Sequence, residues 1–183
     1  MTNNRGLIAT AAVAVAVIVG CAIAGAMMFF GNRDSQIDDR AHEVDADPNI
    51  TAIQTVTTLF SFDPAVDDSP ESGLDAIRGD LTGTLAELAD NPPTGDEAAR
   101  TRPKEWDAWQ RGGDRVQAFA DVSEHSPQVP ARATHATVRL NVQQQVMHPD
   151  GDTTPWRQMN ISVDLEKQDN RWKADSYTLN DTK

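Results

Sequence analysis

Between Leu7 and Phe30 the chain runs for 24 residues without a charge, and Thr10 is the one polar side chain among them. As a helix such a run is about 36 Å long at 1.5 Å per residue, enough to cross a hydrocarbon core of about 30 Å with some tilt. A cleaved secretory signal has a shorter apolar stretch and a polar, small-residue cut site, whereas this run continues through Ala26-Met27-Met28-Phe29-Phe30. Ile18-Val19-Gly20-Cys21 has the form of a bacterial lipobox, but nine apolar residues follow Cys21 where a lipidated protein would begin a polar tether. The expectation is therefore an uncleaved, single-pass anchor over residues 7–30 of a cell (inner) membrane. Residues 1–6 form a cytoplasmic tail and everything after the anchor is extracytoplasmic. That orientation rests on the short tail, since Arg5 before the span and Arg33 and Arg40 after it leave the positive-inside count nearly even. Gly20 and Ala24, Cys21 and Gly25, Ala22 and Ala26 stand four apart, a spacing that lets a second membrane helix approach closely.

Charge divides the rest. Residues 34–97 hold 16 acidic and 2 basic side chains, a balance of -14, while residues 98–183 hold 12 of each. The excess negative charge lies nearer the membrane, where it keeps the domain soluble and away from anionic lipid heads. Residues 31–47, with six acids from Asp34 to Asp47, read as a solvated tether. A net charge of -12 leaves no basic excess for neutralising phosphates, so nucleic acid is excluded as a partner. A single cysteine, inside the apolar run, excludes a disulfide framework.

Residues 48–183 are long enough for one domain, with no internal repeat. Asp47 and Pro48 predict a helix start, with Ile50, Ile53, Val56 and Phe60 on one face and an end before Phe62-Asp63-Pro64. Ser69-Pro70-Glu71 predicts a second helix, striped by Leu74, Ile77, Leu81, Leu85 and Leu88, and kinked or closely approached at Gly79 and Gly83. After Asn91-Pro92-Pro93-Thr94-Gly95 a weaker helical stretch, 97–111, carries Trp106 and Trp109 on one side.

At Gly112-Gly113 the period changes from helical to alternating. Val116, Ala118, Ala120 and Val122 form the first run, Val138, Leu140 and Val142 the second, Ile161, Val163 and Leu165 the third, and Trp172 and Ala174 the fourth. Pro- and Asx-rich turns separate them. The fold class is α+β: helices packed on one face of a four-stranded antiparallel meander whose other face is polar.

No arrangement of residues calls for a metal, a cofactor or a catalytic triad. His42, His125, His135 and His148 are not spaced as ligands on one element. Asp150-Gly151-Asp152 lacks the distal Glu of a calcium loop and reads as a hairpin turn. Arg78-Gly79-Asp80 and the sequons at Asn49 and Asn160 read as chance. A catalytic or small-molecule-binding cone would need a His, Asp or Tyr pointing inward. The candidates are His135 and Asp164, which fall between the apolar positions of their strands and face out, and Tyr177, which is out of step with Trp172 and Ala174. The aromatics suggest a partner contact instead: Trp156, with Arg157 and Met159 beside it, and Trp106 and Trp109, whereas Trp172 reads as a core plug.

An N-terminal anchor, a helix ending Leu59-Phe60-Ser61-Phe62-Asp63, a second with Leu81-Thr82-Gly83, and a meander whose last strand opens Asn170-Arg171-Trp172-Lys173 together resemble the Mce-associated membrane proteins of actinobacteria. That family is similar in layout to the inner-membrane scaffold subunit of type IV secretion systems. The resemblance implies a cystatin-like or nuclear-transport-factor-like cone. It also implies a non-enzymatic accessory or stabilising role in a Mce-type lipid import complex of the envelope, with no catalytic residues to transfer. The chain departs from the family pattern after Leu-Thr-Gly, where Leu85-Ala86-Glu87-Leu88-Ala89-Asp90 replaces a Tyr-rich segment. A scaffold subunit of a secretion or conjugation system, forming homo-oligomers through its sheet or membrane helix, is the second reading. A small-molecule-binding cone is the third.

Overall fold

The computed structural model describes residues 47–180. The expected anchor at 7–30, the tether up to residue 46, Cys21 and His42 lie outside the described residues.

Helix α1, Pro48–Leu59, opens as its first residues dictate: Pro48 takes the first helical position and the Asp47 carboxylate accepts the Asn49 N–H at 2.9 Å. Its buried face is Thr51, Ala52, Thr55, Val56 and Leu59; of the expected stripe Val56 is fully buried, Ile53 and Phe60 pack half-buried against the core, and Ile50 is 55% exposed. The second expected helix is two elements. A 3-10 segment, Pro70–Asp80, leaves helical geometry at Ile77, and helix α2, Gly83–Asp90, follows. Between them Leu81 is extended and bridges Ala174, and the Thr82 N–H donates to the Ala174 carbonyl at 2.8 Å. A strand thus takes the backbone groups that a continuous helix would have used internally. The stretch around 97–111 likewise divides into α3, Gly95–Thr101, and α4, Trp106–Gly112, with Pro103 between them.

Four strands, β1 (Arg115–Val122), β2 (His135–Met147), β3 (Thr153–Gln168) and β4 (Arg171–Asn180), form an antiparallel meander in chain order. The 123–134 connection between β1 and β2 is a loop; the other two connections are tight turns. The alternating runs pair in register, Leu140 opposite Ile161 and Val138 opposite Val163, all fully buried against α1, the 3-10 segment and α2. Val122 departs from its run. It is 38% exposed, beyond the cover of the helices, and lines an open groove of about 560 Å³ beside the α1 N-terminus.

Two irregularities interrupt the sheet, one between Gln144 and Gln145 opposite β3 and one at Asp175 in β4. Each adds a residue to one strand and reverses which face the following side chains take. The first leaves Trp156 between Pro155 and Arg157. The second puts Tyr177 opposite core-facing Val163, which explains why it is out of step with Trp172 and Ala174.

Candidate interaction site

Where β3 outruns β4, a second, smaller core closes one end of the domain. Phe62 is tied to β1 by two backbone bonds, Phe62 N to Val116 O at 3.0 Å and Val116 N to Phe62 O at 2.9 Å. Trp106 and Trp109, three apart on α4, share its inner face. Gly113, with φ of 71°, ends α4 in the left-handed conformation and turns the chain into β1. Phe62 stacks on Trp106 at 5.2 Å between ring centroids, and Trp156 meets Trp109 edge-on at 4.7 Å and Phe62 edge-on at 6.3 Å. These are the arrangements in which ring quadrupoles attract.

The three tryptophans therefore differ in role. Trp106 and Trp109 are 2% and 7% exposed, interior groups rather than the surface the sequence suggested, because Phe62 arrives from 44 and 47 residues upstream to cover them. Trp156 is half-buried and shows its remaining face to solvent beneath the exposed Arg157 guanidinium, 4.1 Å from the ring centroid. Met159 is half-buried at the rim of the larger core. Trp156, Arg157 and Met159 are the members of the expected set that a partner can reach.

The residues that a catalytic cone would use do not meet. His135 is exposed at the start of β2, and Asp164 accepts the Thr137 hydroxyl at 2.6 Å; both lie on the outer face beside a shallow cavity of about 470 Å³. Tyr177 is on the opposite, helix-covered face, its ring edge-on to Phe60 at 5.6 Å. Burial, and secondarily the Glu71 carboxylate, push the Tyr177 phenol above its ordinary 10.0. A folded state that holds this proton more tightly than the unfolded chain keeps its full stability below pH 10 and loses it as pH rises beyond. Alkaline unfolding should therefore begin later in Tyr177→Phe than in the wild type, as read by chemical denaturation at stepped pH.

One constellation was not visible in the sequence. His148 Nδ1 lies 2.8 Å from Asp114 Oδ1, and its Nε2 lies 2.9 Å from Thr154 Oγ1. The antiparallel register places the turn before β1 and the turn after β2 at the same end of the sheet, Arg115 opposite Met147, and pairing these turns was the available signal. The order carboxylate–imidazole–hydroxyl is that of an acyl-transfer triad. However, the adjoining cavity of about 720 Å³ is lined by His148 and by neither Thr154 nor Asp114. The three groups join the turn before β1 and the turn after β2 to the start of β3. His148→Ala should cost about 1–3 kcal/mol in a urea titration, since it strips the imidazole partner from the largely buried Asp114 carboxylate.

Among the described residues no group of three or more His, Cys, Asp or Glu gathers to hold a metal, and no helix is long and apolar enough to cross a membrane.

No family model matches the chain, and no curated protein matches it. Among solved structures, it is similar to CagV, a VirB8 homolog of the type IV secretion system from Helicobacter pylori strain 26695. The two share 10% identity at a TM-score of 0.43, over 74% of this chain and 97% of that one. It is also similar to the intermembrane-space region of the chloroplast protein ARC6, at 14% identity and a TM-score of 0.34, over 79% of this chain and 98% of that one. At such values neither likeness bears on function, and the resemblance to the Mce-associated proteins stands on the residues quoted for it.

Proposed function

We propose that the chain is a single-pass envelope protein whose outer domain is a non-enzymatic assembly module of a larger membrane complex. The observation that carries this reading is the filling of the space between sheet and helices. There Leu74, Leu85, Leu140, Ile161 and Leu165 are at most 2% exposed, and the buried amide of Gln144 is taken up by the Phe60 carbonyl at 2.7 Å. A cone that works on a small molecule keeps that space open and places polar groups in it. This one uses it for stability and leaves its surface to do the work. The apolar run at 7–30 supplies the anchor, and Trp156, Arg157 and Met159 supply a contact that is part aromatic and part cationic.

Two partner classes fit. Accessory service to a Mce-type lipid importer follows from the sequence resemblance, and a scaffold role in a secretion or conjugation apparatus follows from the layout which that family shares with the scaffold subunit of type IV secretion systems. Mild-detergent purification of the full-length protein from its native membrane, with mass spectrometry of the co-purifying subunits, separates them. Importer subunits are expected for the first and secretion components for the second. Recovery of the protein alone, under conditions that keep other envelope complexes intact, contradicts both.

A further inference from the structure

The outer face of the sheet has an unusual composition. In the register of the four strands, three neighbouring rows run Gln117–Gln145–Pro155, Phe119–Gln143–Gln158 and Asp121–Asn141–Asn160–Asn180. Seven of the chain's 19 Asn and Gln occupy these ten positions, and Asp121 is the one charge among them in a chain that is 24% charged. A face needed only for solubility would carry the charges the rest of the surface carries. Primary amides instead offer two donors and an acceptor each without a net charge.

The middle of this face is also shaped. Asp121, Asn141, Gln143, Gln158 and Asn160 border a shallow cavity of about 330 Å³, at the lower end of the range of small-ligand sites. Asn141 Nδ2 donates to Asp121 Oδ2 at 3.0 Å, and the second carboxylate oxygen and the Asn141 side-chain oxygen accept from no protein group among the described residues. The amides of Gln143, Gln158 and Asn160 bond to no protein group among the described residues. Phe119 is not among the residues that line the cavity, but it pairs with Gln143, which does, and is 50% exposed on the edge strand β1.

We infer that this face binds a neutral, hydroxyl-rich oligosaccharide. The amides and the Asp121–Asn141 pair would receive ring hydroxyl and acetamido groups, and the Phe119 ring would stack on the apolar face of a pyranose. Each feature selects against another occupant. An anionic polymer is opposed by Asp121 and by the net charge of -12. Ten positions on a grid of about 4.8 Å between strands and about 7 Å between rows give a patch of about 340 Å², well short of the roughly 800 Å² per partner of a stable protein interface. Apart from Phe119 the rows also lack the aromatic and Met centre that such an interface uses.

The test is isothermal titration of the full-length protein, in a detergent without a sugar head group, with chitohexaose and with maltohexaose up to millimolar concentration. Saturable binding of at least one is expected, about tenfold weaker in Asn160→Thr and abolished in Phe119→Thr. Both variants retain strand-forming residues, and their melting curves should match the wild type. Binding of neither saccharide overturns the assignment, as does binding that survives both substitutions. Loss of self-association in Phe119→Thr without any saccharide binding would make the face a contact between copies and likewise overturn it.

Discussion

Trp109→Ala is expected to destabilise the folded domain by about 3–5 kcal/mol, the cost of emptying a buried aromatic site. The ring is 7% exposed and touches both Phe62 and Trp156, so its removal opens a cavity against two aromatic faces at once. The neighbouring backbone holds the cavity open: Phe62 is fixed to Val116 by two hydrogen bonds, and the end of α4 is fixed by the Asp114 N–H donating to the Trp109 carbonyl at 3.0 Å. Trp156→Ala, which removes a half-exposed ring from the same cluster, should cost clearly less. Urea titrations of the two variants provide the comparison; equal losses would show that Trp156 is as much interior as Trp109.

The second large effect is expected at Gly83, the first residue of α2, whose φ is +49°. A side chain in that conformation costs about 1–2 kcal/mol, and a Cβ there would overlap the Asp175 carboxylate, adding about 1–3 kcal/mol of overpacking. Gly83→Ala should therefore lose about 2–5 kcal/mol. The two contributions are separable, because Asp175→Ala removes the obstacle without changing the backbone. Introduced into that background, Gly83→Ala should cost about 1–2 kcal/mol. An undiminished loss there would mean that the collision is relieved by movement of Asp175 in the single variant.

The same residues show why the sequence was readable in some places and opaque in others. The strands were legible because burial acts on every second side chain, and the pairs Val138–Val163 and Leu140–Ile161 bury one uninterrupted face. The break at Leu81-Thr82 was not legible, since the apolar stripe from Leu74 to Leu88 keeps helical spacing across it. What ends the helix is the backbone of β4, nearly a hundred residues away. The face taken by Tyr177 depended on the bulge at Asp175, which no local residue announces.

In the candidate site the interior position of Trp106 and Trp109 was hidden because Phe62 is far upstream. The chemistry of the surface was hidden for a simpler reason. Seven amides scattered among Gln117, 141–145, 158–160 and Asn180 look like ordinary solvated positions until the register lines them up.

The claim that this domain works through its surface is tested most directly by co-purification with the double variant Trp156→Ala, Arg157→Glu in the full-length protein. Its melting curve is recorded alongside. Partner subunits recovered with the wild type should be lost or strongly depleted, with the domain still folding cooperatively. Undiminished partner recovery from a folded variant would contradict the account.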